Sequence, residues 1–275
     1  MTSTNRWLGI IGWGVLAFFT LAAILAPWAA PHDPAALDEP MLPPSPSHPL
    51  GTNDIGQDVL SELLYGARFS LLVGYLAASL STVIGVVLGV LAGYYDRLGF
   101  ALMRVVDIFL AVPRFPLIVF LAAFLRPGFW TLVLFFTLFG WTKTARLIRS
   151  QVLTERHHGF VEAAVAVGAD DLRILARHLL PGTTSIGLVR FIVEFQHVIL
   201  AESGLSFLGL GDPTVKSWGS MLRYAFEYPT IFISDVWVRW AAPPGVCITL
   251  VVLGLTFVGF SLETWATPRL NGGGR

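Results

Sequence analysis

Six polar or ionisable side chains stand inside otherwise apolar stretches of the chain: Asp107 and Arg114 in 101–125, and Arg190, Glu194, Gln196 and His197 in 185–201. A charge at the centre of a bilayer costs at least ~2.5–3.5 kcal/mol, so such groups face protein or water. They are candidates for lining a pore, with structural pairing at a helix interface as the alternative; Arg190, like Arg104, could also snorkel to the membrane edge. A second group, Glu162, Ala163, Ala164, Gly168 and Asp170, sits with Leu180 and Pro181 in a basic stretch outside the apolar runs. Other chemistries are missing. Neither lysine, Lys143 nor Lys216, follows a glycine, so no P-loop exists, and no H-E-x-x-H helix or G-x-S-x-G elbow occurs. His157 and His158 are adjacent rather than helix-spaced, and the single cysteine, Cys247, lies in an apolar run. No enzyme and no metal site is read from the sequence.

The elements that must hold these residues follow from composition. Of 275 residues 55% are hydrophobic and 13% charged, with 18 charges of each sign. Soluble domains carry about 25% charged residues. The same numbers exclude disorder and nucleic-acid binding. The chain is expected to be all-α, a polytopic membrane bundle of six transmembrane helices. Stretches 7–31, 69–95 and 240–262 lack formal charge and are long enough to span ~30 Å of hydrocarbon. A shorter span covers 127–142, and the charge-interrupted 101–125 and 185–201 complete the set. Arg6 and Ala26-Pro27-Trp28-Ala29 give the first a loosely signal-like frame. Its core exceeds the ~7–15 residues of a signal h-region, so a retained span is expected. With both termini cytoplasmic, the inside loops hold eleven basic residues, Arg269 and Arg275 among them; the outside loops hold five, including Arg126.

Between the spans, 31–49 carries seven prolines and reads as an extended external strap, with 61–68 a short helix feeding span two. Gly74, Ala78, Ser81, Gly85 and Gly89 recur at helical spacing, a face that lets helices approach closely in lipid. In 143–182 the apolar residues Phe160, Val161, Ala164, Val165 and Val167 precede Gly168, and Asp170 could cap a second helix carrying Leu172, Leu175, Ala176 and Leu179, ended by Pro181. A protruding cytoplasmic helical hairpin suited to docking is expected. The external 204–240 reads either as a partly buried gate region or as an interfacial aromatic belt.

Glu162-Ala163-Ala164, three residues, Gly168, nine residues, then His178-Leu179-Leu180-Pro181 resembles the EAA signature of permeases in binding-protein-dependent ABC importers, with His178 where isoleucine is usual. Leu50-Gly51-Thr52-Asn53-Asp54-Ile55-Gly56-Gln57-Asp58, the run 65–71, and Leu205–Gly211 with Trp218-Gly219 are similar to the dipeptide/oligopeptide/nickel branch, specifically its second permease subunit. That branch usually has aspartate at Asn53 and arginine at Gln57. The resemblance covers about 7–270.

It implies the type I ABC importer permease fold: an N-terminal helix and strap over 1–68, a permease core over 69–270 with a coupling hairpin at about 154–181, and a 271–275 tail. The chain would form half of a peptide pore in a bacterial or archaeal plasma (inner) membrane. Nickel or a metal chelate is the alternative cargo. Implied partners are a homologous permease, two ATP-binding subunits and an extracytoplasmic substrate-binding protein, with surrounding lipid. No cofactor is expected on this chain; ATP and Mg would sit on the partner ATPases. Glu162, Ala163, Ala164, Gly168, Asp170, Leu180 and Pro181 would form the dock. An ion-coupled secondary transporter working through Asp107 or Glu194 is the competing class, but the inverted repeats it would carry are not visible. A structural or sensor membrane protein would leave the hairpin without a reason.

Overall fold

The computed structural model describes residues 3–125 and 128–266; Arg126, Arg269, Arg275 and the 271–275 tail lie outside them. Among the described residues the chain is helical, with one isolated antiparallel bridge, Thr52 to Asp58. Five helices are long and apolar enough to span a membrane, and a bent pair makes a sixth.

Helix α1 (Ser3–Ala29) leads into the strap, and α2 (Val59–Tyr94) follows. The sequence expectation of a separate helix over 61–68 is corrected. Asp58 starts α2 by accepting from Ser61 N at 2.8 Å, and no breaker interrupts the 36 residues that follow. That length is about 54 Å, so α2 extends beyond one hydrocarbon thickness.

The span expected at 101–125 is broken. Helices α3 (Asp96–Ala111) and α4 (Arg114–Phe124) meet at 79°. Pro113 forces Val112 into extended backbone (φ −94°, ψ 132°), which a continuous helix does not tolerate. Helix α5 (Phe129–Glu155) runs well past the expected end at Thr142. Its later basic residues leave the hydrocarbon without leaving the helix.

The hairpin follows as α6 (Gly159–Ala166) and α7 (Asp171–Ile174), turning at Gly168 with φ +81°. Pro181 does not end the second limb. A π turn over Leu175–Leu179 carries the chain directly into α8 (Leu180–Phe207), with Pro181 in its first turn. Proline lacks an N–H and clashes with the carbonyl four residues earlier, and the wider π turn accommodates that fault. Beyond α8 come α9 (Trp218–Glu227), α10 (Val236–Trp240) and α11 (Ala242–Ala266). Within 204–240 Trp218 and Trp240 are fully buried against the bundle, while Tyr224, Phe226, Phe232 and Trp237 are exposed, so the segment is anchored by two tryptophans and keeps an open aromatic face. The Trp218 indole donates to Leu63 O at 3.1 Å.

The bundle is centred on α2, which lies against both α5 and α8, while α1 packs on α11 at the periphery. The expected small-residue face is where α2 meets its neighbours. A Cβ added at Gly85 would stand 2.6 Å from Thr144 Cβ, at Gly89 2.7 Å from Ile148 Cβ, and at Gly93 2.6 Å from Val152 Cβ. Three successive turns of α2 thus seat on three successive turns of a parallel α5. Gly74 faces Phe195 of α8 instead, and Ser81 donates to Phe136 O.

Replacing Gly89 with leucine is expected to lower the folded yield and the thermal midpoint, since overpacking costs about 1–3 kcal/mol or more. Gly14→Leu is the control, because nothing lies within 4 Å of a Cβ there. Size-exclusion profiles before and after heating separate the two; equal profiles would dismiss the ladder as a stabilising contact.

The strap is folded rather than extended. Asp38 N donates to Gly56 O, Met41 N to Asn53 O, and the Arg239 guanidinium donates to Leu42 O. Gly56 holds φ +90°, and a side chain there would collide with the Asp38 carbonyl. The hydrogen bond from Glu39 N, followed by that of His48, holds the Asp38 carboxyl below the ordinary aspartate range.

Candidate functional site: the hairpin pole and the embedded charges

The strap and the hairpin occupy opposite ends of α2, since its first turn joins the strap and its last turn holds the hairpin. Tyr94 Oη and Tyr95 Oη both donate to the Asp171 carboxylate, at 2.8 and 2.9 Å. That bond, ahead of partial desolvation, raises the Tyr95 phenol above its usual range. Arg156, capping the end of α5, donates to Asp96 Oδ1 at 2.7 Å and to Gly93 O at 3.2 Å. Underneath, Val161, Ile174 and Leu179 pack with Val90, Ile148 and Val152. The hairpin is therefore fastened to α2, α3 and α5 and is continuous with α8.

Its outer surface is open and sets exposed apolar residues beside the charged Asp170 and Arg173. Val167 is 85% exposed and Leu172 72%, so neither belongs to the packed face that the periodicity predicts. Ala163, Gly168, Asp170, Leu180 and Pro181 are exposed and Ala164 is half-buried. Glu162 lies in α6, but its side chain, like those of Phe160 and Val165, is outside the described residues. Asp170 occupies the N-cap position of α7 yet makes no capping bond with its side chain, standing instead 3.6 Å from Arg173. Asp171, which sequence reasoning passed over, makes the structural contacts. No cue marked it, because its tyrosine partners are 76 and 77 positions away.

The six embedded candidates separate into groups. Arg114 Nη2 donates to Glu194 Oε1 at 2.6 Å and to Phe136 O at 3.2 Å, with side-chain exposures of 24% for the arginine and 1% for the glutamate. Gly140 gives them room, since a Cβ there would stand 2.5 Å from that carboxylate oxygen. Arg190 reaches Thr144 Oγ1 at 3.4 Å. Gln196 turns the other way and donates to Thr256 Oγ1 on α11 at 2.8 Å. Asp107 pairs with Arg146 near the hairpin end, and His197 is exposed on α8.

Two buried networks escaped the sequence. Glu62 is paired with Lys216 at 2.5 Å and accepts from Asn53 Nδ2 at 3.2 Å, while Gln57 Oε1 accepts from Lys216. The two positions that depart from the family pattern, Asn53 and Gln57, therefore belong to one network centred on Lys216. Glu202, fully buried, accepts from Ser70 at 2.8 Å and Ser206 at 2.7 Å.

Comparison with known proteins agrees with this architecture. Residues 85–272 match the model of the binding-protein-dependent transport system inner membrane component, and 5–44 match the N-terminal TM domain of oligopeptide transport permease C. The dipeptide transport system permease protein DppC of Bacillus subtilis is 34% identical, over 96% of this chain and 82% of its own length. The di/tripeptide transport system permease protein DppC of Pseudomonas aeruginosa is 36% identical over 94% of this chain and 88% of its own. The oligopeptide transport system permease protein OppC of Bacillus subtilis is 33% identical over 96% and 86%. An all-helical bundle with a fastened, open hairpin at one pole, matched along nearly its whole length, belongs to the family of inner-membrane components of binding-protein-dependent transport systems.

Proposed function

We propose that the chain forms one half of the translocation path of an ATP-driven peptide importer and takes its drive from separate ATPase subunits through the 154–181 hairpin. The observation that carries this is the hairpin's build: an exposed apolar tip, Val167 and Leu172, on a base tied to α2, α3 and α5. A push on that tip passes to α2 through Asp171 and its two tyrosines. It passes to α8 through the continuous π turn, and the glycine ladder makes α2 and α5 move together. ATP and Mg are held by the partner subunits.

A homologous permease completes the path and a binding protein delivers cargo at the strap pole. Both termini are cytoplasmic, consistent with the surplus of basic residues on the hairpin side. The path runs along the face of α8 that leaves His197 exposed, where the partner permease approaches. Peptide cargo is supported by the names of the relatives, which carry dipeptides, di/tripeptides or oligopeptides. Nothing observed favours nickel or a chelate.

Proteoliposomes containing the chain with its partner permease, ATPases and binding protein should take up a labelled dipeptide only with ATP inside the ATPase compartment. Unlabelled peptides should compete and nickel salts should not. Uptake of nickel without peptide uptake would replace the cargo assignment, and peptide uptake without ATP would remove the coupling.

A further inference from the structure

At the strap pole, far from the hairpin, His32, His48 and Asp58 each present a donor atom, and these three atoms lie within 4.8 Å of one another. We propose that they form a binding site for one divalent transition-metal ion of the zinc class, which pins the strap to the bundle.

The arrangement has the parts of such a site. Asp58 is held firmly: its Oδ2 accepts from Ser61 N at 2.8 Å and Ser61 Oγ at 2.7 Å as the N-cap of α2. Its Oδ1 is thereby directed at His48 Nδ1, 3.0 Å away. On the far side of that imidazole, Nε2 lies 3.3 Å from Asp38 Oδ2. A histidine that binds metal through one nitrogen characteristically donates its other N–H to a carboxylate, which fixes tautomer and orientation. His32 stacks on His48 with ring centroids 4.5 Å apart. Its Nδ1 is buried and has no hydrogen-bond partner among the described residues. Its backbone N donates to Ser61 Oγ, so the loop carrying it is tied to the same cap.

Geometry and charge suit the ion. Zinc takes imidazole nitrogen and carboxylate oxygen at about 2.0–2.2 Å, which places tetrahedral ligand atoms about 3.3 Å apart. One donor pair already stands at 3.0 Å. Turning the His32 ring out of its stack, so that the ion lies in the plane of both imidazoles, closes the rest. Two neutral imidazoles with Asp58 and the supporting Asp38 balance a 2+ charge. The three ligands come from the exit of α1, the far end of the strap and the start of α2, so the ion would lock those segments together. This is a structural site in the strap and no part of a cargo route. It does not depend on the peptide assignment.

The test uses the full-length permease in nanodiscs, affinity tag removed, dialysed against zinc and assayed by elemental analysis and titration. The wild type should retain one zinc per chain. His32→Phe, which keeps the stack and removes the nitrogens, should lose the retained equivalent. Asp38→Asn, an exposed side chain whose change spares the fold, should weaken affinity about 10–100-fold through the supporting bond. Wild type without retained zinc would overturn the site, as would equal retention and affinity in the wild type and both variants.

Discussion

Gly168→Asp should reduce uptake and transport-linked ATP hydrolysis at least tenfold, while membrane level stays at the wild-type value and the thermal midpoint falls by only a few degrees. The separation between folding and coupling follows from the position. Gly168 turns the hairpin at φ +81°, and no atom of the chain lies within 4 Å of an added Cβ. Within this subunit the substitution meets backbone strain alone, about 1–2 kcal/mol, and aspartate tolerates that region better than most residues. At the dock the outcome differs, because a second carboxylate beside Asp170 would enter the contact made by Val167 and Leu172. Burying an unpaired charge against a partner costs several kcal/mol, and ~1.4 kcal/mol is already tenfold.

Gly168→Asn imposes the same backbone demand without charge and should retain more activity than aspartate. Normal uptake by Gly168→Asp at matched membrane levels would remove the hairpin from the coupling path. A parallel fall in membrane level with every substitution would make Gly168 a folding residue only.

How much of this was legible beforehand depended on whether neighbouring residues or distant ones decide the structure. Lipid demands long apolar helices, so the spans were readable as runs of apolar residues, and the glycine face of α2 was readable because helical spacing is local. The hairpin turn was readable from Gly168. Ends of helices were harder. Charges at Lys143 and beyond mark the edge of hydrocarbon, but water does not stop a helix, and α5 continues to Glu155. Pro181 reads as a terminator, yet a π turn lets the backbone pass. Conversely, Pro113 breaks a stretch whose apolar character reads as one span.

Pairings were hidden by separation: Glu62 and Lys216 stand 154 positions apart, and Ser70 and Glu202 132. The strap looked extended from its prolines, while its fold is set by turns at Gly51 and Gly56 and by Arg239 from far along the chain.

The Arg114–Glu194 pair offers the second large effect. It links α4, the second half of the broken span, to α8, and its carboxylate is 1% exposed. Removing one partner of a buried ion pair costs about 3–5 kcal/mol, because the survivor keeps its charge without compensation. Glu194→Met should therefore lower the thermal midpoint sharply and deplete the subunit from the membrane. Arg114→Met should do the same. The double variant, Arg114→Met with Glu194→Met, fills similar volume without charge and should recover most of the lost stability, since such replacements are often neutral or stabilising.

A double-mutant cycle isolates the interaction, and the same four proteins report on transport. If the pair acts as a staple between α4 and α8, uptake returns with folding in the double variant. If instead the carboxylate meets cargo, the double variant folds but its uptake kinetics stay altered. The hydrogen bond to Phe136 O and the close fit at Gly140 lead us to expect the staple. A charged residue within a span is then a structural joint, and the search for groups that touch cargo moves to the exposed face of α8 around His197.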